Sequence, residues 1–118
     1  MDTMDHVSIN DSASTLKILR TLPNEKAFYF YLGIDRPANL RARSLEEFVD
    51  RLNEVDYSSV EFHLGRGDFE RWVGMLGDQS LVQSYAELRN RRMSAEDSRR
   101  RLLEITGSRV SRLRKLEH

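Results

Sequence analysis

The sequence predicts a mainly α-helical, single compact domain of about five to six short helices with a short N-terminal β-hairpin, and α+β is the alternative. A chain of 118 residues is long enough to build one hydrophobic core. Its hydrophobic share of 39% and its charged share of 32% are typical of a helix-rich globular protein. Capping boxes at Ser44 and Ser58, followed by apolar residues at helical spacing, mark two helix starts.

The first twelve residues are polar and rich in Asp and Ser, and we expect them to form a disordered tail ahead of a domain at residues 13–115. Ser12 or Ser14 then caps a short helix. This helix ends by Pro23, because the residue before a proline avoids the helical region. The side chains that we expect this helix to bury are Leu16, Ile18 and Leu19.

Residues 27–34 (AFYFYLGI) predict a β-strand, because aromatic residues favour strands and the apolar side chains alternate at period two. Residues 35–39 have the composition of a turn, and residues 40–43 return as the second strand of a hairpin. A helix over residues 25–33 is the alternative. The alternation places Phe28, Phe30, Leu32 and Ile34 on one face and Tyr29 and Tyr31 on the other.

The central stretch, residues 57–81, predicts short helices joined by glycine corners. The helix that Ser44 caps ends near Val55, and the helix that Ser58 caps ends at Gly65. A hydrophobic staple between Tyr57 and Phe62 is expected at the second of these starts.

Three further helix boundaries follow along the chain. A helix that starts at Asp68 and ends at Gly77 carries one apolar stripe, and Asp78 caps the next helix. Ser94 starts the last helix, in which Gly107 costs about 1 kcal/mol against alanine and predicts a bend or a frayed turn. The apolar stripe from Asp68 to Gly77 consists of Phe69, Trp72, Val73 and Leu76.

His63 is the candidate for general-base chemistry, since His6 lies in the expected tail and His118 in a segment, residues 116–118, that resembles a cloning-tag remnant. Asp68 or Glu70 can reach it across the glycine corner. No nucleophile or oxyanion motif accompanies it, so we assign no catalytic residue. The structural alternative is a half-buried histidine bonded to a loop carbonyl.

The candidate ligand-binding residues are His63, Asp68 and Trp72. Trp72 offers a stacking surface, although its spacing within an apolar stripe is more typical of a core residue. The acidic residues near His63 are too few and too irregular for a metal site, so we expect no metal and no cofactor.

The arginines near the start of the last helix form a candidate anion-binding set, since clustered guanidinium groups bind phosphates. A solvated helix face is the alternative, because consecutive arginines on a helix spread over about 200°. The acidic residues Glu96, Asp97 and Glu104 are also placed to pair with them. The set consists of Arg89, Arg91, Arg92, Arg99, Arg100 and Arg101.

Composition and charge exclude several classes of protein. The chain has no cysteine, which excludes disulfides and thiolate metal sites, and no apolar run long enough to span a membrane. The start of the chain is acidic and polar, unlike a signal peptide, so we expect a cytoplasmic protein. Residues 1–83 carry 9 Lys/Arg against 14 Asp/Glu, whereas residues 84–115 carry 10 against 4, which hints at an anionic partner or at attraction between the two halves.

Four segments with fairly specific motifs carry a resemblance to a known family: 42–48 (ARSLEEF), 59–64 (SVEFHL), 66–73 (RGDFERWV) and 76–78 (LGD). With Leu81, they resemble an uncharacterised, largely archaeal domain family of unknown function, over residues 28–113. The resemblance implies a compact prokaryotic cytoplasmic domain and brings no established reaction or substrate. Some relatives accompany larger carbohydrate-active proteins, which implies an accessory role. Gly74-Met75 departs from the family pattern, which implies a looser helix end.

From these observations we expect a non-enzymatic protein-interaction or regulatory module. Its partner is another protein or a second copy of the chain, with a dimer through the last helix as one form. The alternatives are nucleic-acid or phosphate binding through the arginine-rich C-terminal helix, and a small-molecule site around His63.

Overall fold

The computed structural model describes residues 13–117, and the predicted tail at residues 1–12 lies outside that range. Within these described residues, six α-helices and one antiparallel hairpin form one globule, which confirms the predicted mainly helical fold. The elements are α1 at residues 13–19, a 3-10 turn at Asn24–Lys26, β1 at Phe28–Gly33, β2 at Arg36–Ala42, α2 at Leu45–Glu54, α3 at Tyr57–Arg66, α4 at Asp68–Leu76, α5 at Gln79–Arg91 and α6 at Ala95–Glu117.

Helix α1 buries one face of about two turns. Thr15, Ile18 and Leu19 lie on the buried face, as residues spaced three and four apart do on a helix. Leu16 is 61% exposed, so the prediction that it faces inward is wrong. The physical reason is that Leu16 follows Thr15 by one residue and therefore points about 100° away from it.

The predicted hairpin is confirmed, but its turn is much tighter than expected. Strand β2 already begins at Arg36, so the turn consists of Ile34 and Asp35 rather than residues 35–39. Asp35 is the second residue of this turn and has a φ of 59°, in the left-handed region that aspartate tolerates better than most residues. Pro37 is accommodated because β2 is an edge strand, where a missing backbone N–H is tolerated.

The pleat of β1 is regular only as far as Phe30. The pairing with β2 shifts register between Phe30 and Tyr31 and again between Tyr31 and Gly33. Buried and exposed side chains alternate from Phe28 to Tyr31, and the alternation ends after these irregularities. Leu32 is only half-buried and Ile34 is 74% exposed, so the prediction that both share the inward face of Phe30 is wrong.

The helix caps follow the sequence signals with two corrections. Ser44 caps α2 by accepting the backbone N–H of Glu47 at 3.2 Å, as predicted. Helix α3 is capped by Asp56 instead of Ser58, since a carboxylate caps at least as well as a hydroxyl. The same helix runs through Gly65 and ends at Gly67, whose φ of 75° gives the left-handed C-cap.

Tyr57 is the first residue of α3, so it does not form the predicted staple with Phe62. Its ring instead lies 3.9 Å beneath the guanidinium of Arg99. The later boundaries are confirmed: Gly77 ends α4 and Asp78 caps α5 by accepting the N–H of Leu81 at 3.0 Å.

The core is centred on a group of five rings that we call the aromatic cluster. The hairpin packs its inner face against α2 and α3, α4 packs against α5, and α6 packs against α2, α3 and α5. Phe48 of α2 is fully buried, and its ring centroid lies 5.1–5.8 Å from those of the other four members. The aromatic cluster consists of Phe28, Phe30, Phe48, Phe69 and Trp72.

Helix α6 continues through Gly107 to Glu117, so the frayed turn predicted there is not formed. Apart from its chain neighbours and the backbone of its own helix, no heavy atom of the described residues would lie within 4 Å of a Cβ at residue 107. We therefore expect Gly107→Ala to raise the free energy of unfolding by about 1 kcal/mol through helix propensity alone. Urea unfolding checks this against Gly74→Ala, whose Cβ would lie 3.3 Å from Val82 and bring a smaller gain. An equal gain in both variants would contradict the argument.

Candidate functional site

His63 lies in the last turn of α3, beneath the hairpin, and is 4% exposed. Its ring packs edge-on against Phe28 at 4.8 Å and Phe62 at 5.0 Å, and at a tilt against Phe69 at 5.6 Å. The histidine therefore forms part of the wall between the aromatic cluster and the surface.

Both ring nitrogens of His63 have hydrogen-bond partners. Nε2 lies 2.8 Å from the backbone nitrogen of Tyr31, and Nδ1 lies 2.8 Å from Oδ2 of Asp68. A backbone N–H can only donate, so Nε2 must be the unprotonated acceptor and Nδ1 must carry the proton that Asp68 accepts. This geometry fits the neutral tautomer of His63 that carries its proton on Nδ1.

Burial of the ring lowers the pKa of His63 below its ordinary value, and Arg66 acts in the same direction. The hydrogen bond and the negative charge of Asp68 oppose this effect without overcoming it. The partner on Nε2 differs from the structural alternative that we drew from the sequence, since it is a strand N–H and not a loop carbonyl. A general base needs an accessible lone pair, and here Tyr31 occupies it.

Asp68 opens α4 and joins His63 to two arginines. Its carboxylate lies 3.3 Å from Nε of Arg66 and also contacts Arg71. Gly67, in the left-handed conformation, makes the sharp corner that brings Asp68 back beside His63. Within residues 13–117, no group of three or more His, Asp or Glu side chains is arranged to hold a metal ion.

Trp72, the third candidate ligand residue, belongs to the aromatic cluster and does not line the surface near His63. It is 7% exposed, and its indole N–H donates to the backbone oxygen of Lys26 at 3.0 Å. The structure thus brings His63 and Asp68 together. It places Trp72 in the core, as the spacing of Trp72 within its apolar stripe indicated.

The six candidate arginines do not converge on one patch. Arg89 binds Glu70 with two hydrogen bonds of 2.7 and 3.1 Å, which raise the pKa of its guanidinium. Arg99 stacks on Tyr57 and donates to the backbone oxygen of Val55. These two guanidinium groups therefore stabilise the fold rather than offer an open site.

The remaining arginines divide into two pairs. Arg100 binds Asp97 at 2.8 Å and Arg101 binds Glu104 at 2.7 Å, both exposed and one helical turn apart. Arg91 and Arg92 are exposed and form no ion pair with another residue of the described range 13–117.

Sequence reasoning missed the outward surface of the hairpin, which we call the tyrosine face: Tyr29, Tyr31, Pro37 and Arg41. Tyr29 is 45% exposed and Tyr31 is 37% exposed, and they pair across the hairpin with Arg41 and Pro37 respectively. The alternation did place both tyrosines opposite Phe28 and Phe30. It did not reveal that the helices cover only the phenylalanine side.

Two hollows flank this surface, and both tyrosines contribute to each of them. The first hollow, of about 630 Å³, extends from the tyrosine face to Arg51 and Glu54 of α2. The second hollow, of about 400 Å³, extends towards α3 and is lined by Ile34, Phe62, His63, Arg66 and Asp68 among others. Both volumes lie in the range of natural binding pockets.

In the described part of the chain, no helix has the length and apolar character that crossing a membrane requires. The chain matches no protein-family model, no curated protein and no solved structure.

Proposed function

We propose that this chain is a non-enzymatic protein-interaction or regulatory module and that its docking surface is the tyrosine face. The observation that carries the proposal is the exposure of Tyr29 and Tyr31 side by side, between two hollows. Tyr and Arg are enriched at the residues that contribute most of the binding energy in protein interfaces. The tyrosine face presents two tyrosines beside the arginine Arg41.

The tyrosine face is held in position before any partner arrives. The hydroxyl of Tyr29 donates to the backbone oxygen of Asn24 at 2.7 Å. The backbone N–H of Tyr31 is bound by His63, which Asp68 holds in turn. The fixed side chain of Tyr29 and the fixed backbone of Tyr31 lose little conformational entropy on binding, which favours docking.

The same hydrogen bonds support a non-enzymatic role over a reaction at His63. Both ring nitrogens already serve Tyr31 and Asp68, and Trp72 stands apart in the core. A small-molecule site around His63 therefore has less support than a docking surface on the hairpin. In the second case, His63 serves to hold the backbone of Tyr31 in place.

Nucleic-acid or phosphate binding is the second candidate, and the exposed Arg91 and Arg92 favour it. It has less support because the other four arginines of the set already have partners. A cytoplasmic location and membership of the uncharacterised, largely archaeal family also remain proposals. They are supported by the composition and by the segments of the chain that resemble that family.

Photo-crosslinking from the tyrosine face tests this proposal. With benzoylphenylalanine at position 31, we expect a partner protein to be crosslinked and purified. We then expect Tyr31→Ala to weaken the affinity for the purified partner by about tenfold in calorimetric titration, as for a central interface residue. Leu16→Ala, at an apolar side chain of α1 that is 61% exposed against 37% for Tyr31, is the control and should bind normally. Equal affinity of both variants would reject the tyrosine face as the docking surface.

A further inference from the structure

We infer that the tyrosine face binds an extended segment of a partner protein, with an acidic residue in the first hollow and an apolar residue in the second. This inference rests on the proposed function and adds the chemistry of the partner. It follows from the state of the strand edges, from the charges of the first hollow and from the apolar side chains that line the second.

Each edge of the hairpin is partly engaged or distorted, which makes the addition of a partner strand less favourable. On β1, the N–H of Tyr31 is bound by His63 at 2.8 Å. On β2, the backbone oxygen of Arg41 accepts from Arg51 at 3.1 Å, Pro37 has no N–H, and Asn39 adopts a φ of 61° that distorts the strand. The tyrosine face is therefore a better place for a partner than a strand edge.

In the first hollow, the guanidinium group of Arg41 is available to bind a partner. Among residues 13–117, Glu54 is the only one whose carboxylate lines this hollow, and Arg51 neutralises it at 2.8 Å. Arg41 is exposed and forms no ion pair with any residue between 13 and 117. A partner carboxylate there gains a charge-assisted hydrogen bond, which an arginine makes in two-pronged geometry.

The second hollow offers apolar side chains rather than an available positive charge. Ile34 is 74% exposed, and Phe62 lies beside it under the guanidinium of Arg66 at 4.8 Å. Arg66 is already shared with Asp68, and the rim carboxylate of Asp35 disfavours a second negative charge. An apolar partner side chain buries the most surface here, because it covers an isoleucine and a phenylalanine.

The two tyrosines form the ridge between the hollows, since Tyr29 and Tyr31 line both. A single segment that reaches both hollows has to cross this ridge. An extended chain suits that path, because its successive residues advance about 3.3 Å. One of its side chains can then enter the first hollow and another the second. The charge of the first hollow fixes the direction in which the segment lies.

Short synthetic peptides test the inference by NMR titration of the ¹⁵N-labelled protein. The probes are a library in which one Asp or Glu stands a few residues from one Leu or Phe, the same library with Lys for the acid, and the same library with Ser for the apolar residue. We expect the acidic–apolar library alone to shift the amides of Tyr29, Tyr31 and Arg41 at micromolar to millimolar peptide. Arg41→Glu should weaken this binding by about tenfold and improve binding of the lysine library, whereas Arg91→Glu should change neither.

Each other outcome rejects a defined part of the argument. Equal binding of the lysine library to the unmodified protein overturns the acidic specificity and leaves the proposed docking surface standing. Equal binding of the serine library overturns the role of the second hollow. If no library shifts the tyrosine face, the inference is overturned, and the crosslinking from position 31 decides separately whether another kind of partner docks there.

Discussion

Replacing Phe48 with alanine is expected to lower the free energy of unfolding by about 3–5 kcal/mol, the usual cost of deleting a buried phenylalanine ring. Phe48 is fully buried and lies at the centre of the aromatic cluster, with its ring 5.3 Å from Phe69 and 5.1 Å from Trp72. Its neighbours come from the hairpin and from α4, so no single element can shift to fill the cavity. Because cores are close-packed, the lost contacts are not replaced.

Urea unfolding followed by the fluorescence of Trp72 measures this loss directly, since the indole packs against the deleted ring. Phe62→Ala is the matched control: the same ring is removed, but from a half-buried position beside the second hollow. Because less surface returns to water there, we expect a loss of about 1 kcal/mol. Comparable losses in the two variants would mean that the aromatic cluster is not the centre of the core.

The sequence predicted the features that depend on local periodicity. The stripe from Phe69 to Leu76, the cap at Asp78 and the two opposite faces of β1 up to Phe30 all follow from spacing along the chain. The structure confirms each of them. Local periodicity also predicted the short-range ion pairs of Arg100 and Arg101, which lie one helical turn from their partners.

The features that the sequence did not reveal depend on contacts between distant residues. Arg89 and Arg99 reach Glu70 and Tyr57, which lie many positions earlier in the chain. Nothing in the spacing of the arginines distinguishes such a bound guanidinium from an open one. The proposed phosphate-binding set therefore looked more continuous along the sequence than it is in space.

The hydrogen bond that joins β1 to α3 is also a contact between distant residues. The N–H of Tyr31 is bound by His63, which lies 32 positions later in the chain. The register with β2 shifts on both sides of this residue, between Phe30 and Tyr31 and again between Tyr31 and Gly33. The sequence pointed to His63 and Asp68 as a pair, but the third member, a backbone N–H, carries no side-chain signal.

His63 should make the protein acid-sensitive, and this is the second large effect that we expect. The pKa of folded His63 lies below its ordinary value of 6.5, so the unfolded chain takes up the proton first as the pH falls. The contribution of His63 to stability is therefore complete above about pH 6.5 and is lost as the pH falls through the lowered pKa. Within that window the free energy of unfolding should fall by up to about 1.4 kcal/mol per pH unit.

The expected loss of stability at acid pH has a geometric cause as well as an electrostatic one. Protonation places an N–H at Nε2, directly against the N–H of Tyr31 at a separation of 2.8 Å between the nitrogens. Two donors then face each other in a site that excludes water, and the hydrogen bond that supports the tyrosine face is lost. The bond to Asp68 survives protonation, so we expect acid to loosen the hairpin from α3 before it disturbs the corner at Gly67.

Substitutions at His63 separate these effects in urea unfolding at about pH 7.5 and 5.5. His63→Ala should cost at least about 2 kcal/mol at the higher pH, because it empties the ring site and leaves the Tyr31 N–H unsatisfied. His63→Gln can still accept that N–H, whereas His63→Asn can reach only Asp68, so the glutamine variant should be the more stable of the two. In both variants, the free energy of unfolding should lose the part of its pH dependence that comes from His63. An unchanged pH dependence in His63→Gln would show that the acid sensitivity comes from other groups, and a more stable His63→Asn would mean that Asp68, not Tyr31, is the partner that matters most.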